Sequence, residues 1–250
     1  MRRLVPCDEI DDPLEPYAGV DRRGVRPWVL ANMVGGLDGS AAVGGRVGVL
    51  SGGADAELFR RMRALADVVL VGAETVRRER YGPVRLPDAD RESRVAAGRP
   101  PVPPVAVVSR SLSIDWSIPL FATRRGPGEP RPMILTAAGA DPGRTAEAAT
   151  HADVVVAGEE RVDVGLAVER LAGRGHRVVL CEGGPTLLGE LVAAGLLDEL
   201  CLTLSPVMGG DPLPIATVPP GGDLLGLRLA HVAVSDDVLF LRYERRTDGR

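Results

Sequence analysis

Short apolar runs recur along the first 181 residues of the chain, and segments with helical spacing stand between most of them. The runs are rich in Val, Ile, Leu and Ala and are bounded by Gly, Pro or charged residues. Strands that are buried on both faces of a parallel sheet have this composition, whereas one-sided strands alternate apolar and polar positions. The pattern predicts strands at 27–34, 67–72, 104–110, 131–139, 153–157 and 177–181.

The intervening segments predict the crossover helices that parallel strands require. Helices are predicted at 54–65, 73–80, 141–150, 163–173 and from 185 onward. Asp163 is a candidate N-cap, and Gly173 marks the end of the same helix. Residues 82–104 are rich in Pro, Arg and Asp and are predicted to form a long connection.

The end of the chain has a different pattern. DELCLTLSPV, LGLRLAHVAVS and DVLFLRYERR follow one another without a helical segment, and the SDD at 235–237 is typical of a hairpin turn. The patterns together predict an α/β fold with a mostly parallel central sheet that closes with an antiparallel C-terminal hairpin. Residues 1–26 are polar and contain proline, so we expect an extended arm there and one domain over 27–246.

Composition excludes several classes of function. With 45% hydrophobic residues and a formal net charge of −4, the 250-residue chain resembles neither a disordered segment nor a basic nucleic-acid binder. No apolar run approaches the roughly 18 residues of a membrane-spanning helix. Cys7, Cys181, Cys201 and the three histidines lack metal-ligand spacing. We expect a cytoplasmic protein with a small-molecule substrate and no metal, membrane or nucleic-acid partner, since a secretory signal is also absent.

One strand-to-helix junction carries an unusual set of residues. In LCEGGPTLLGELVAAGLLDEL, Glu182, Gly183, Gly184 and Pro185 separate the strand from the helix. Backbone N–H groups at a helix N-terminus bind anions, glycines let a phosphate approach, and proline fits the first turn. The junction predicts either a pyrophosphate-binding turn or a tight turn without a ligand. Glu182, at the carboxyl end of its strand, is either a ligand-binding acid or a solvated loop acid.

Two further strand ends carry similar residues, and several such sites on one sheet favour a dinucleotide ligand. In VVLVGAETV, a strand ends at Gly72 and a helix starts with Ala73 and Thr75. Ser109 and Arg110 follow the next strand, and an arginine near a ribose favours the 2′-phosphate of NADP, although an exposed surface charge is the alternative. A Walker lysine and a GxGxxG motif are both absent, which excludes a P-loop and the standard Rossmann fingerprint.

The first strand contributes Asn32, and the loop after it contributes Asp38. This loop, residues 35–53, contains eight glycines, so its backbone can approach a ligand closely or move. An acid beside a nicotinamide could supply or relay a proton during hydride transfer. An ordinary Asp–Gly turn explains Asp38 equally well.

The set Asn32…LDGS, VGAETV, EGGPTLL and LTLSPVMGG resembles the reductase half of the bifunctional riboflavin-biosynthesis deaminase–reductase, and especially its stand-alone pyrimidine reductase relatives. The resemblance runs from about Pro27 to Arg246. It implies a three-layer dihydrofolate-reductase-like fold, a homodimer, and NADPH-dependent reduction of 5-amino-6-(5-phosphoribosylamino)uracil or a close analogue. The strand LCLTLSPV would pack either at the dimer interface or in the core. The zinc-deaminase motifs HxE and PCxxC are absent, so that second activity is expected to be missing.

The resemblance also implies roles for individual residues. The cofactor would be bound by Asn32, Gly72, Ala73, Thr75, Val76, Ser109, Arg110, Gly183, Gly184, Pro185, Thr186 and Leu187. The substrate would be bound by Ser51, Arg63, Arg80, Arg85 and Glu182, and Asp38 would be catalytic. Segments 47–51 and 77–85 depart from the usual family patterns. A pterin reductase and a non-catalytic NADP-binding protein therefore remain alternatives.

Overall fold

The computed structural model describes residues 11–17, 22, 24–221 and 223–246. The strands are β1 Trp28–Gly36, β2 Val68–Gly72, β3 Val105–Val108, β4 Met133–Thr136, β5 Asp153–Val156, β6 Val178–Cys181, β7 Leu197–Ser205, β8 Leu227–Ser235 and β9 Val238–Arg245. They form one sheet in the order β5-β4-β3-β2-β6-β1-β7-β9-β8. Strands β1 to β7 pair in parallel, and β9 runs antiparallel to both of its neighbours.

Helices cover both faces of the sheet. They are α1 Gly53–Met62, α2 Ala73–Arg78, α3 Asp88–Ala96, α4 Pro119–Ala122, α5 Pro142–His151, α6 Val164–Ala172 and α7 Pro185–Ala193. Side chains of α1, α2, α4 and α5 belong to the core on one face, and those of α6 and α7 belong to the core on the other. The predicted α/β architecture is confirmed. Within the described residues, no helix has the length and apolar character needed to cross a bilayer.

The central strands show why the sequence pattern predicted a parallel sheet. Val68, Val69, Leu70 and Val71 of β2 are each no more than 1% exposed. Val69 and Val71 face one core, while Val68 and Leu70 face the other. Because both faces are covered, every position of such a strand favours an apolar residue.

The predicted antiparallel C-terminal hairpin is confirmed as β8 and β9, and the strand before it belongs to the parallel part of the sheet. Strand β7, which contains LCLTLSPV, pairs in parallel with β1, because α7 carries the chain from β6 past β1. It lies inside the sheet between β1 and β9 rather than at an open edge, and Leu197 and Cys201 are buried, while Leu200, Leu202 and Leu204 are half-buried. The predicted hairpin turn is confirmed: Asp236 and Asp237 have φ angles of 50° and 63° between β8 and β9.

Helix α3 lies where a connection was predicted, so that prediction was wrong. Its buried anchor is Arg94, which is 1% exposed. The guanidinium donates to the carbonyls of Ala64 at 2.9 Å, Ala66 at 2.6 Å and Pro100 at 3.0 Å. Burial lowers the pKa of Arg94 to about 10. A helix that packs through an arginine lacks the apolar period by which helices are recognised.

Part of the N-terminal arm is packed rather than extended. Glu15–Tyr17 form a 3-10 helix, and Tyr17 is 2% exposed within the core. Arg22 donates to both carboxylate oxygens of Glu199, at 3.1 and 3.0 Å. The other arm positions, 1–10, 18–21 and 23, lie outside the described residues, and Cys7 is among them.

Candidate active site

A cavity of about 380 Å³ opens where β1, β2 and β6 end at the carboxyl edge of the sheet. Open α/β sheets bind their ligands at this edge. Helix α1, the glycine loop and both glycine junctions contribute to its walls. The lining residues include Asn32, Ser51, Asp55, Phe59, Arg63, Thr75, Arg80, Tyr81, Glu182, Gly184 and Pro185.

The two glycine junctions contact each other. Strands β2 and β6 are neighbours, and the N–H of Gly72 donates to the carbonyl of Gly183 at 2.8 Å. Gly183 has a φ of 85°, and its peptide bond to Gly184 is cis. A Cβ atom on Gly184 would lie only 2.7 Å from Oγ1 of Thr75. The first turn of α7 and Thr75 therefore form one wall of the cavity, with bare backbone of the kind that phosphates approach.

Glu182 forms a buried ion pair at the cavity wall. Its carboxylate accepts hydrogen bonds from Arg63 Nε at 2.7 Å, Arg63 Nη2 at 2.8 Å and the Tyr81 hydroxyl at 2.9 Å. The side chains of Glu182 and Arg63 are 0% and 11% exposed. The guanidinium carbon of Arg63 also lies 4.4 Å from the centroid of the Phe59 ring. The predicted substrate-binding residues Glu182 and Arg63 are thus brought together as one rigid unit.

Burial and charge set the protonation states around this pair. Burial alone would lower the pKa of Arg63, but the Glu182 carboxylate more than offsets it, so that pKa is raised. Burial, followed by the nearby Glu182 carboxylate, raises the pKa of Tyr81 well above its usual value of 10.0. Tyr81 therefore remains a neutral hydroxyl donor at physiological pH.

Asp55 is a second carboxylate in the cavity wall, and sequence reasoning missed it. It lies in the first turn of α1 and is 5% exposed. Thr203 Oγ1 donates to its Oδ1 at 2.5 Å, and the hydroxyl of Ser51 donates to its Oδ2. The signal that could have found it is spacing: Asp55, Phe59 and Arg63 stand four residues apart and share one face of α1.

The glycine loop is held by two aspartates. The Asp38 carboxylate accepts hydrogen bonds from the hydroxyl of Ser40 at 2.5 Å and from the N–H groups of Gly209 at 2.7 Å and Gly210 at 3.3 Å. These donors, the Ser40 hydroxyl first, hold the pKa of Asp38 well below its usual range. Asp38 is exposed and does not line the cavity. Its geometry is that of a loop anchor.

The second anchor is Asp211, which accepts from the N–H groups of Gly44 at 3.0 Å and Gly45 at 2.6 Å. Both glycines have positive φ angles, of 59° and 78°, at the tip of a tight turn. Since Gly45 lines the cavity, the hydrogen bonds from Gly44 and Gly45 to Asp211 fix the position of this part of the cavity wall.

The other predicted residues are spread along the same sheet edge. Asn32 is 7% exposed and lines the cavity. Ser109 and Arg110 follow β3, which lies on the far side of β2 from the cavity. The side chains of Val76 and Leu187 point into the two cores, so these residues offer a ligand only backbone. Ala73 borders the β2–α2 junction, and Thr186 is exposed in the first turn of α7.

Two of the arginines predicted to bind the substrate, Arg80 and Arg85, are separated. Arg80 lines the cavity, with a φ of 47°. Arg85 lies in another, polar depression together with Arg91, Arg124 and Glu129. The described residues also contain no group of three or more His, Cys, Asp and Glu side chains placed to hold a metal ion.

Comparisons with known proteins agree with this geometry. The family model of the RibD C-terminal domain matches residues 27–241. The 2,5-diamino-6-ribosylamino-4(3H)-pyrimidinone 5′-phosphate reductase of Methanothermobacter thermautotrophicus is 34% identical over 188 residues, 74% of this chain and 81% of that protein. The reductase of the same name from Archaeoglobus fulgidus is 31% identical over 192 residues, 76% of this chain and 85% of that protein.

A solved structure shows the same fold. The crystal structure of a pyrimidine reductase-like protein from Corynebacterium diphtheriae matches with a TM-score of 0.79 at 28% identity, covering 89% of this chain and 93% of that chain. The matches confirm the predicted fold class and the resemblance to the reductase half of the riboflavin enzyme. The chain therefore belongs to the RibD C-terminal domain family, whose named relatives here are pyrimidine reductases.

Proposed function

We propose that the chain uses NADPH to reduce the ribosyl group of a 6-ribosylaminopyrimidine 5′-phosphate in riboflavin biosynthesis. The observation that carries the proposal is that one cavity joins the Gly184 turn to the buried Glu182–Arg63 pair. The Gly184 turn suits the phosphates of a dinucleotide, and the Glu182–Arg63 pair suits a polar substrate. The names of the two archaeal relatives support the same reaction class.

The residues at the sheet edge fit a nicotinamide dinucleotide. A side chain at Gly184 would collide with Thr75, so glycine keeps the backbone of this turn open to a pyrophosphate. The edge continues past Gly72 to Ser109 and Arg110 at the end of β3, where a guanidinium would meet the 2′-phosphate that distinguishes NADPH from NADH. When bound, the cofactor supplies a hydride.

The substrate side of the cavity is organised by α1. Glu182 and Tyr81 fix the guanidinium of Arg63, so its orientation needs no ordering when a ligand binds. Arg80 at the cavity wall is our candidate for the substrate phosphate. In the reaction, the ring-opened imine form of the ribosylamine gains a hydride at C1′ and a proton at nitrogen, so its C=N double bond becomes a single bond and ribosyl becomes ribityl. The anchored glycine loop keeps bulk water from the reacting carbon.

Steady-state NADPH oxidation by the purified chain tests the proposal. The substrates are the 2-amino and the 2-oxo forms of the ribosylaminopyrimidine phosphate, with dihydrofolate in parallel. We expect turnover with at least one ribosylaminopyrimidine. Turnover with dihydrofolate alone would replace the proposal by a pterin reductase. NADPH binding without any turnover would favour the non-catalytic alternative.

We further propose a homodimer that works in the cytoplasm, where NADPH and phosphorylated sugars are available. Strand β8 closes one edge of the sheet, and Leu229 and Val234 on it are 43% and 52% exposed. Leu239, opposite Val234 on β9, is 36% exposed. A nine-residue edge strand with exposed apolar side chains is a surface that proteins usually cover. A second copy of the chain is the partner we propose for it.

A further inference from the structure

The two buried carboxylates of the cavity wall, Glu182 and Asp55, differ in how far their hydrogen-bonding capacity is used. Glu182 accepts three hydrogen bonds, two of them from the cationic Arg63. The partners of Asp55 among the described residues are two neutral hydroxyls, of Ser51 and Thr203, one on each oxygen. A carboxylate has about four lone-pair positions, so about half of those on Asp55 remain for a ligand.

The unused acceptor positions of Asp55 matter because its carboxylate is buried. Asp55 is 5% exposed and faces a cavity rather than solvent. A buried carboxylate without a cationic partner is costly unless further donors reach it. Because each oxygen already holds a hydroxyl on one side, the two oxygens together offer a fork for a pair of parallel N–H donors.

Helix α1 also sets the distance between this fork and the ion pair. Asp55 and Arg63 are eight residues apart, which corresponds to about 12 Å along the helix axis. Phe59 lies midway on the same face and lines the cavity. This spacing leaves room for a flat heterocycle beside Asp55 and for a sugar phosphate toward Arg63 and Arg80.

We propose, building on the proposed function, that Asp55 selects rings with a 2-aminopyrimidin-4(3H)-one edge. In such a ring the 2-amino group and N3–H are adjacent donors that match the carboxylate fork. The 2-oxo ring of the deaminated substrate presents a carbonyl beside N3–H, which places an acceptor against the Asp55 oxygen. The chain would therefore act on the 2,5-diamino compound, before deamination. A dihydropterin carries the same edge.

Binding of the free rings tests the proposal without requiring turnover. The probes are 2,5,6-triaminopyrimidin-4(3H)-one and 5,6-diaminouracil, which differ in the group at position 2 and in the proton on the adjacent N1. Each is titrated calorimetrically into the protein with NADP⁺ present. A good bidentate contact discriminates by about 1–3 kcal/mol, so we expect the triamino ring to bind about tenfold or more tightly. Equal affinities, or a preference for the uracil, would overturn the proposal.

Asp55→Asn gives the sharper result, because an amide pairs one acceptor with one donor. Its oxygen can accept from N3–H while its NH₂ group donates to the 2-oxo group, so we expect the preference to be lost or reversed. Asp153→Asn, at an exposed aspartate on β5 far along the sheet, is the matched control and should leave the preference unchanged. An unaltered preference in Asp55→Asn would overturn the assignment.

A second variant, Thr203→Val, tests the role of Asp55 even if Asp55→Asn fails to fold. Thr203→Val is nearly isosteric and removes the hydroxyl on Oδ1 of Asp55. We expect it to weaken binding of the triamino ring by about 3–10-fold without reversing the preference, since the fork loses its orientation but keeps both acceptor oxygens. An unchanged affinity would contradict the role given to the hydroxyls.

Turnover of the corresponding substrates separates this proposal from the proposed function. Reduction of the 2,5-diamino compound at a higher kcat/KM than its 2-oxo analogue supports both. If only dihydrofolate were reduced, Asp55 would recognise the same 2-amino edge on a pterin, and the proposed function in riboflavin biosynthesis would be wrong. Preferential reduction of the 2-oxo compound would overturn the role of Asp55 and keep the proposed function.

Discussion

Three acidic residues around the cavity have the same charge and different surroundings. Glu182 is paired with an arginine, Asp55 is held by hydroxyls, and Asp38 is held by a hydroxyl and backbone N–H groups outside the cavity. The sequence identifies Glu182 and Asp38 because both stand beside glycines at strand ends. It does not identify Asp55 or Tyr81, since one partner of Asp55, Thr203, and the partner of Tyr81, Glu182, lie 148 and 101 residues away in the chain.

Replacing Glu182 tests the buried pair. Glu182→Gln keeps the shape but leaves the Arg63 guanidinium buried without a counter-charge, so we expect the free energy of unfolding to fall by about 3 kcal/mol. Glu74→Gln is the control, because Glu74 is 54% exposed and pairs with Arg78 on the surface of α2. That change should cost less than about 1 kcal/mol. Urea denaturation measures both, and similar small losses would contradict the buried pair.

Asp38 is expected to act as a loop anchor. Because its pKa is held below its usual range, it carries no proton to donate at neutral pH. Asp38→Asn should lower kcat by less than about tenfold, whereas loss of a general acid costs about 10²–10⁴-fold. The pH profile of kcat between pH 5 and about 9 should keep its shape. If one limb of that profile disappeared in Asp38→Asn, Asp38 would be a proton donor and not a loop anchor.

Among the elements, those defined by local patterns were predictable and those defined by distant contacts were not. The β2–α2 and β6–α7 junctions follow from apolar runs that end in glycine. Helix α3 does not, because its anchor is the buried Arg94 and the carbonyls that it binds belong to other elements. The direction of β7 depends on its pairing with β1, which lies more than 160 residues earlier in the chain.

Adding a methyl group at Gly184 tests the contact between the two glycine junctions. In Gly184→Ala the new Cβ would lie 2.7 Å from Thr75 Oγ1, so either the turn or the Thr75 side chain must shift, and both belong to the site that we propose for the cofactor phosphates. We expect the Kd for NADPH to rise at least about tenfold, with smaller effects on folding. Gly52→Ala is the control, because nothing lies within 4 Å of a Cβ there. Equal affinities in a fluorescence titration would remove this turn from the cofactor site.

At the scale of the whole molecule, the sheet order determines where ligands and partners can bind. The cavity lies near the middle of the sheet, at β2, β6 and β1, and β8 is left as an edge. Strand patterns predicted this fold class, but they carry no information on which strands are neighbours. Pairing requires the three-dimensional packing of the helices that connect the strands.

The β8 edge gives a prediction about assembly. Val234→Lys places a charge in the apolar strip formed with Leu229 and Leu239, so a dimer built on this edge should dissociate. Val95→Lys is the control, since Val95 is 56% exposed on α3, away from that edge. Sedimentation equilibrium should give twice the chain mass of 26.3 kDa for the wild type and the control, and a single chain mass for Val234→Lys. A monomeric wild type would refute the dimer.

The reaction that we propose for the cavity is hydride transfer from NADPH to C1′ of a ribosylaminopyrimidine phosphate. The most direct measurement is mass spectrometry of the product formed with NADPH that is deuterated at the transferred position of C4. We expect a ribityl product that carries one deuterium on the former C1′. Unlabelled sugar recovered unchanged, while NADPH binds or is oxidised, would contradict it.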